Sequence, residues 1–290
     1  MTDNPKEKNE REYYRAGKAN WDAFRFSMDE VRKAAREWES ALHGVHKPWL
    51  CWNVDSDWCL VQQRLVKDMG WTPVIGFDPR AGAPELIEGA ILIDFNKYFK
   101  FPALNMVFPL EFVFLYADRL AFWHSDLLVR PEKLRKLASL FADLNDGETA
   151  AVDCRAGFFR RLHGQRGRFW ELIGCTTRGA SHDQYRRGSS WWRHIECHPE
   201  CPAGEKERAR RLKYPYDHGG GILYWSDHYG GRVIPINQEL VEEGHCTGIG
   251  RKDYVRFSPQ DERRDLSREL SENYDLFEVC NKLELQAYLD

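Results

Sequence analysis

The chain has 290 residues and a mass of 34.1 kDa, and its 42 Lys plus Arg against 45 Asp plus Glu give a formal charge of −3. This near balance excludes a polybasic tail protein, and 42% hydrophobic with 13% aromatic residues excludes global disorder. No window approaches the roughly 18 consecutive apolar residues of a membrane span, and no apolar segment lies near residue 1. We therefore expect a soluble, cytoplasmic protein with no membrane span and mostly reduced cysteines.

The first half of the chain predicts a helix followed by alternating strands and helices. A capping-box pattern at 27–30 begins a helix that ends near Leu42, and we assign 1–46 to an N-terminal helical extension. The predicted strands are Pro48–Val54, Thr72–Phe77, Gly89–Asp94, Arg119–Trp123 and Thr149–Asp153, and the predicted helices are 58–69, 102–117 and 131–145. Such alternation is typical of an α/β fold with a mostly parallel, Rossmann-like sheet and helices on both faces.

The second half begins with a segment of different composition. Residues 155–213 carry 14 basic and 6 acidic side chains, many aromatic residues and no clean period. We interpret them as a basic aromatic insertion within a domain that spans 47–257. The sequence then predicts a pair of strands at Gly219–Trp225 and Gly231–Ile236. It predicts an acidic helical tail over 258–290.

The end of the strand at Arg119–Trp123 is the first candidate site. Open α/β sheets bind ligands beyond the carboxyl ends of their strands. His124 and Asp126 lie there, and alternate residues of an extended chain share a face. A carboxylate followed by a helix that begins at Pro131 suits a divalent cation, Mn²⁺ or Mg²⁺, bound together with a diphosphate.

At this point the sequence resembles a known superfamily. The order strand, helix, strand, strand, long helix, strand, His-Ser-Asp, helix, strand is similar to the nucleotide-sugar half of a GT-A-fold glycosyltransferase, over about residues 47–250. In that superfamily an Asp-x-Asp motif follows the fourth strand and holds the metal and the sugar diphosphate. His124-Ser125-Asp126 occupies its place, with His instead of the first Asp. The resemblance implies a metal-assisted transferase that uses a nucleotide-diphosphate sugar.

The resemblance also implies roles for other residues. It implies a second metal ligand from the Gly-His segment, a donor-binding loop after the first strand, a glycine-rich strand beneath the donor, and a carboxylate base beside that strand. The second metal ligand would be His245, and the donor-binding loop would contain Asp55 and Asp57. The glycine-rich strand would contain Gly220 and Gly221, and the base would be Asp227 or Asp217. Arg160, Arg161, Trp191 and Trp192 could clamp phosphate and stack on a sugar or base. The acceptor would be a glycan or a nucleic-acid base.

Two other functions fit parts of the sequence. An apolar strand that ends in Asp55-Ser56-Asp57 resembles the nucleophile motif of haloacid-dehalogenase-type phosphotransferases, although Cys59 stands where that family has Thr or Val. The basic segment alone would suit a non-catalytic nucleic-acid- or glycan-binding protein.

A second metal site is suggested by four donor residues within the basic segment. They are His194, Cys197, His198 and Cys201, and Cys154 and Cys175 could join them if the chain folds back. These are the residue types that bind structural zinc, which would explain how an irregular segment stays ordered.

Overall fold

A computed structural model describes residues 28–53, 55–77, 83–94, 110–113, 116–155, 157, 167–196, 198, 201–212, 214, 219–246 and 274–290. These residues form a mixed α/β fold around one seven-stranded sheet. The strands are β1 Pro48–Asn53, β2 Thr72–Phe77, β3 Ile91–Leu92, β4 Arg119–Trp123, β5 Glu148–Arg155, β6 Gly167–Thr177 and β7 Arg232–Ile236.

Seven α-helices and three short 3-10 helices accompany the sheet within the described ranges. The α-helices are α1 Met28–Leu42, α2 Ser56–Asp68, α3 Pro131–Ala142, α4 Arg178–Arg186, α5 Ala203–Leu212, α6 Gly220–Tyr229 and α7 Leu276–Lys282. The 3-10 helices are Gln238–Leu240, Glu242–Gly244 and Gln286–Tyr288. None of the α-helices is long and apolar enough to cross a membrane.

The sheet has the order β3-β2-β1-β4-β6-β5-β7 and is mostly parallel, as the sequence predicts. β6 pairs antiparallel with both β4 and β5, whereas the other recorded pairs are parallel. The chain runs from β1 outward to β2 and β3, then returns to place β4 on the other side of β1. The strand order therefore reverses between β1 and β4.

Helices cover both faces of the sheet, which confirms the predicted layers. Alternate residues of β1 enter two separate cores, with Leu50 on one face and Trp49 on the other. The first core receives Trp38 of α1, and the second receives Leu134 of α3. Because the central strands β1 and β4 are covered on both sides, their residues are apolar in near-continuous runs rather than alternating.

The segment 155–213 is not an irregular insertion. It contains β6, which lies in the middle of the sheet, followed by α4 and α5. Arg168 and Glu171 interrupt the apolar run of β6, so the sequence hides a strand whose later residues are buried on both faces. Tertiary packing, rather than a local alternating pattern, specifies this strand.

The predicted strand Gly219–Trp225 is also wrong, because Gly220–Tyr229 forms helix α6. Gly219 begins this helix with φ of 80°, a conformation that favours glycine. A Cβ atom on Gly221 would lie 1.9 Å from the carbonyl oxygen of Ser190. The glycines are therefore needed for close packing of a helix, while the second predicted strand of the pair, at Arg232–Ile236, is confirmed.

The end of the chain packs back onto the domain. Cys280, Leu283 and Leu285 are buried in the second core, and Arg64 of α2 donates a hydrogen bond to the carbonyl oxygen of Tyr288 (2.8 Å). Helical structure is confirmed for Leu276–Lys282, while Ser258 and the first part of the predicted tail lie outside the described residues.

Candidate metal centre

The candidate site lies at the carboxyl ends of β1 and β4. Neighbouring strands leave this point in opposite directions, since β2 and β3 lie on one side and β6, β5 and β7 on the other. Such a reversal opens a crevice between the connecting segments, and ligands of open α/β sheets bind there. The residues that follow β1 and β4 therefore line the natural binding crevice of this fold.

Three side chains converge at the end of β4. Asp126 Oδ1 lies 3.5 Å from His124 Nδ1 and 3.5 Å from His245 Nε2. One donor atom from each residue lies within 4.8 Å of the other two, and no other group of three or more His, Cys, Asp or Glu side chains in the described ranges meets this condition. The two predicted metal ligands, Asp126 and His245, are thus brought together, and His124 joins them.

Backbone pairing holds the two halves of this cluster together. The amide of Cys246 donates to Asp126 O (3.0 Å), and the amide of Leu128 donates to Gly244 O (3.1 Å). A Cβ atom on Gly244 would lie only 1.8 Å from the carbonyl oxygen of Leu128. Glycine at 244 is therefore what allows the segment with His245 to approach the end of β4.

Side chains reinforce the same junction. Arg130 donates to both carboxylate oxygens of Glu243 (2.8 and 3.0 Å), two residues before His245. From the other side, Gln62 of α2 donates to the carbonyl oxygens of His124 (2.7 Å) and Leu127 (2.9 Å). The cluster is thus supported by elements on both sides of the crevice.

The electrostatics of the cluster concentrate negative charge around the His124 ring, and a bound cation would replace the proton that this charge holds on the ring. Burial would raise the pKa of Asp126, but the imidazoles of His124 and His245 hold that pKa well below its usual range. Burial would likewise lower the pKa of His124, yet the carboxylates of Asp126 and Glu171 outweigh it and raise that pKa to about 9. The carboxylates therefore place a strong negative potential on the His124 ring.

The spacing of the donor atoms also fits a metal ion. Asp126 Oδ1 is buried and accepts no hydrogen bond of ordinary geometry from the described residues. Two ligands held about 2.1 Å from one ion stand roughly 3.0–3.4 Å apart at octahedral or tetrahedral angles. The two separations from Asp126, each 3.5 Å, are close to these values, and the donor atoms of His124 and His245 lie within 4.8 Å of each other.

Three residues of β6 beside the cluster are not singled out by the sequence analysis. Glu171 Oε1 lies 3.6 Å from His124 Nε2, and the Trp170 ring lies 4.9 Å from the His245 ring. The Arg168 guanidinium lies 5.3 Å from the centre of the Trp170 ring. A lone carboxylate within the apolar run 169–175 is the sequence signal that could have revealed Glu171.

The end of β1 carries the other predicted donor-binding residues. Asp55 is the N-cap of α2, where Oδ1 accepts from the amides of Asp57 (3.1 Å) and Trp58 (3.2 Å), and burial raises the pKa of Asp55. Asp57 lies exposed in the first turn of α2. Asn53, the last residue of β1, is fully buried, and among the described residues neither its amide oxygen nor its amide nitrogen has a hydrogen-bond partner. Unpaired buried polar atoms of this kind are rare in proteins.

The predicted aromatic ligand contacts are wrong. Trp191 and Trp192 are 0% and 1% exposed. The Trp191 ring packs edge-on against Phe122 (4.8 Å between centroids), and Trp192 N donates to Glu111 Oε1 (3.0 Å). Gly220 and Gly221 are likewise buried in helix α6, so they do not form a strand beneath a ligand. These residues belong to the core.

Of the two predicted catalytic bases and the two predicted phosphate-binding arginines, one base lies within the described residues. Asp227 lies on an exposed turn of α6, where Oδ2 accepts from the Tyr214 hydroxyl (2.6 Å), and it does not follow a strand as predicted. It is not a member of the His124–Asp126–His245 cluster. Asp217, Arg160 and Arg161 lie outside the described residues.

Most basic side chains in the described part of 155–213 are paired with carboxylates. Seven of its arginines form ion pairs with carboxylates, and the partners are mostly within the same segment. These pairs are Arg155–Asp153, Arg178–Asp118, Arg186–Asp183, Arg187–Asp183, Arg193–Glu196, Arg208–Glu205 and Arg210–Glu196. The segment is therefore not an open cationic surface over its described part.

The predicted zinc site is not assembled from the described residues. The rings of His194 and His198 stack 5.9 Å apart, and neither belongs with Cys201 to a metal-type cluster. Cys154 and Cys175 pack on the second core, whereas Trp192 and Ile195, which flank His194, lie in the first core on the other face of the sheet. Cys197 lies outside the described residues.

His194 instead faces a buried carboxyl group. Glu111 Oε2 lies 3.5 Å from His194 Nδ1, and both side chains are at most 1% exposed. Burial raises the pKa of Glu111 to about 8, and burial together with the charge of His198 lowers the pKa of His194 to about 3. At neutral pH this pair is therefore mostly uncharged, with the proton on Glu111.

These pKa values predict how stability depends on pH. A carboxyl whose pKa rises on folding stabilises the protein below its unfolded pKa, and that stability is lost as pH rises through about 8. We expect the free energy of unfolding of the wild type to fall by several kcal/mol between about pH 5 and pH 9. In Glu111→Gln this fall should be clearly smaller, as measured by urea unfolding across that range, and the remaining part should come from His124, whose raised pKa makes its stabilisation decline over the same range. An equally steep fall in Glu111→Gln would contradict the assignment.

Comparison of the chain with protein-family models, with curated proteins and with solved structures finds no match.

Proposed function

We propose that the chain is a GT-A-type glycosyltransferase that uses a nucleotide-diphosphate sugar and a divalent metal ion. The observation that carries the proposal is the meeting of His245 with His124 and Asp126 directly after the fourth strand. The sequence resemblance implies a metal motif at this place and a histidine from a late segment. Two separate parts of the chain thus supply side chains to the same candidate metal centre.

The position and chemistry of the centre support this function. The reversal of strand order between β1 and β4 is where open α/β sheets bind nucleotides. A metal ion there would neutralise the diphosphate leaving group, which is the main electrostatic demand of glycosyl transfer from such donors. His124, Asp126 and His245 would hold the ion, and Arg168 beside Trp170 offers a further positive charge and an aromatic face.

The neighbouring groove supports a neutral or cationic acceptor rather than a nucleic acid. It has a volume of about 960 Å³ and lies at the carboxyl ends of β5 and β7. Its lining includes three carboxylates, those of Asp153, Glu239 and Glu242, and one guanidinium, that of Arg155. Arg155 is already bonded to Asp153 (2.6 and 2.9 Å), so a polyanion would meet uncompensated negative charge.

The donor set predicts which ion is bound. Two imidazoles and one carboxylate favour borderline transition metals, whereas Mg²⁺ prefers oxygen ligands. For chelator-treated protein we expect Zn²⁺ or Co²⁺ to raise the melting temperature most, Mn²⁺ less and Mg²⁺ least. Differential scanning fluorimetry at equal ion concentrations measures this order. Stabilisation by Mg²⁺ equal to that by Mn²⁺ would argue against nitrogen ligation.

Nucleotide binding tests the function itself. A thermal-shift panel of UDP, GDP, CMP and their sugars, with and without Mn²⁺, should show metal-dependent stabilisation by one nucleotide family. The shift should disappear in Asp126→Ala and persist in Asp55→Ala, whose main recorded contacts cap a helix. The opposite result would favour the phosphotransferase with Asp55 as nucleophile. No shift with any nucleotide would overturn the transferase proposal.

A metal-dependent hydrolase is the second candidate, because a two-histidine, one-carboxylate donor set also activates water in zinc enzymes. Release of nucleotide from the sugar donor distinguishes the two functions. A transferase should release it faster when an acceptor is added, whereas a hydrolase should not respond. Salt-sensitive nucleic-acid binding without any effect of nucleotide sugars would instead indicate a binding protein.

A further inference from the structure

The ring of His124 lies between two carboxylates that differ in their access to solvent. Its Nδ1 faces Asp126 Oδ1 (3.5 Å), and its Nε2 faces Glu171 Oε1 (3.6 Å). The side chains of His124 and Asp126 are each 23% exposed, whereas that of Glu171 is 2% exposed. A ligand in the crevice can therefore reach His124 and Asp126, while Glu171 lies behind the ring.

Strand β6 fixes both the backbone and the ring of His124. The amide of His124 donates to Leu172 O (2.9 Å), and the next residue back, Glu171, faces the ring. Around Glu171 the pairing of β5 with β6 shifts register, since Val152 pairs with Trp170 but Ala151 pairs with Gly174. Such bulges re-aim side chains and are common beside active sites.

A buried carboxylate is costly unless a partner compensates its charge. His124 can supply such compensation to Glu171 through a proton on Nε2, the ring nitrogen that lies 3.6 Å from Oε1. With Nε2 protonated, Nδ1 is the ring nitrogen that can bind an ion where the cluster converges, and binding there would release the proton that the charged imidazole carries on Nδ1. A carboxylate that receives the second N–H of a metal-binding histidine sets the tautomer and orientation of the ring.

We infer that Glu171 is a positioning residue that orients His124 for metal binding through Nδ1. The inference rests on the metal centre of the proposed function, but not on the identity of the sugar donor or the acceptor. It adds Glu171, a buried residue of the antiparallel strand β6, to a site whose other residues are His124 and Asp126, which follow β4, and His245.

Metal affinity tests this role without any assay of activity. Isothermal titration of chelator-treated protein with Zn²⁺ and Co²⁺ should give a dissociation constant about 10–100-fold higher for Glu171→Ala than for the wild type. Glu171→Gln keeps an acceptor oxygen, so its constant should lie between those two values. In ¹⁵N NMR spectra of the Zn²⁺-loaded wild type, the His124 proton should reside on Nε2.

Glu148→Gln is the matched control. Glu148 is also a buried carboxylate of the sheet, but it lies at the start of β5 and pairs with Arg232 (2.6 Å). This variant should lose stability without a change in metal affinity. The contrast separates a general loss of buried charge from a specific effect on His124.

The inference fails if Glu171→Ala and Glu171→Gln bind Zn²⁺ and Co²⁺ within two-fold of the wild type, or if the proton of Zn²⁺-loaded His124 resides on Nδ1. A wild type that binds none of these ions overturns both this inference and the metal centre. A weakened metal site in Glu171→Ala, together with no response to any nucleotide sugar, would sustain the inference and overturn the transferase. If Glu171→Ala does not fold, Glu171→Gln and the NMR spectrum still decide the question.

Discussion

Replacement of Asp126 by Asn should abolish the metal centre. The substitution keeps the size of the side chain but removes the charge that lies 3.5 Å from both imidazoles. We expect the dissociation constant for Zn²⁺ or Mn²⁺ to rise about 100-fold or more, and metal-dependent turnover of the nucleotide sugar to fall by a similar factor. Calorimetry and nucleotide-release assays measure the two effects.

The melting temperature provides an independent reading of the same variant. An ion at 100 times its dissociation constant should stabilise the wild type by about 2.7 kcal/mol, and this gain should shrink to about 0.4 kcal/mol or less in Asp126→Asn. Asp143→Asn is a suitable control, because Asp143 is an exposed residue at the C-terminus of α3. Equal metal-induced stabilisation of Asp126→Asn and the wild type would exclude Asp126 as a ligand.

Replacement of Gly244 by Ala should damage both the fold and the centre. The added Cβ would lie 1.8 Å from Leu128 O and 2.9 Å from Leu283 Cδ1. Since these neighbours are a backbone atom and a core side chain, the two segments must separate, at a cost of about 1–3 kcal/mol. His245 would move with its segment, so we also expect metal affinity to fall at least about 10-fold.

A second glycine-to-alanine change serves as a control, because it adds the same methyl group without a steric clash. Gly204 lies in helix α5, and a Cβ there would meet no atom within 4 Å. Gly204→Ala should therefore leave stability unchanged or raise it by up to about 1 kcal/mol. Urea unfolding and metal titration of both variants test the pair, and a Gly244→Ala protein that behaves like Gly204→Ala would refute the packing argument.

The layers of the fold could be predicted because their signals are local. Apolar runs at β1, β2 and β4, and helical spacing in α2 and α3, are visible without knowledge of any distant partner. β6 could not be predicted in this way, because Glu171 serves the site rather than the strand. The prediction of a strand at Gly219–Trp225 is wrong because glycines that permit close packing of a helix give the same local signal as glycines that approach a ligand.

The residues of the candidate site also differ in whether a local sequence signal reveals them. His124 and Asp126 could be predicted, because they lie directly after a buried strand where α/β sheets bind ligands. His245 could be predicted only through the resemblance to GT-A glycosyltransferases, since no local sequence feature connects it with β4. Arg168 and Trp170 have no such signal, because their relation to the site depends on a strand whose pairing is entirely non-local, and the one local sign of Glu171 is its place as a lone carboxylate in an apolar run. Trp191 and Trp192 were misassigned, since composition alone does not separate a buried indole from one that stacks on a ligand.

The position of β6 has a consequence for how the chain folds during synthesis. β5 is made before β6, yet β6 lies between β4 and β5 in the sheet. β4 therefore keeps an unpaired edge until residue 177 has left the ribosome, and an open edge can pair with another chain. Nascent chains that stop between β5 and β6 should be more prone to aggregation than those that extend past β6. The strand that supplies Glu171 to the site is thus also the strand that closes the sheet.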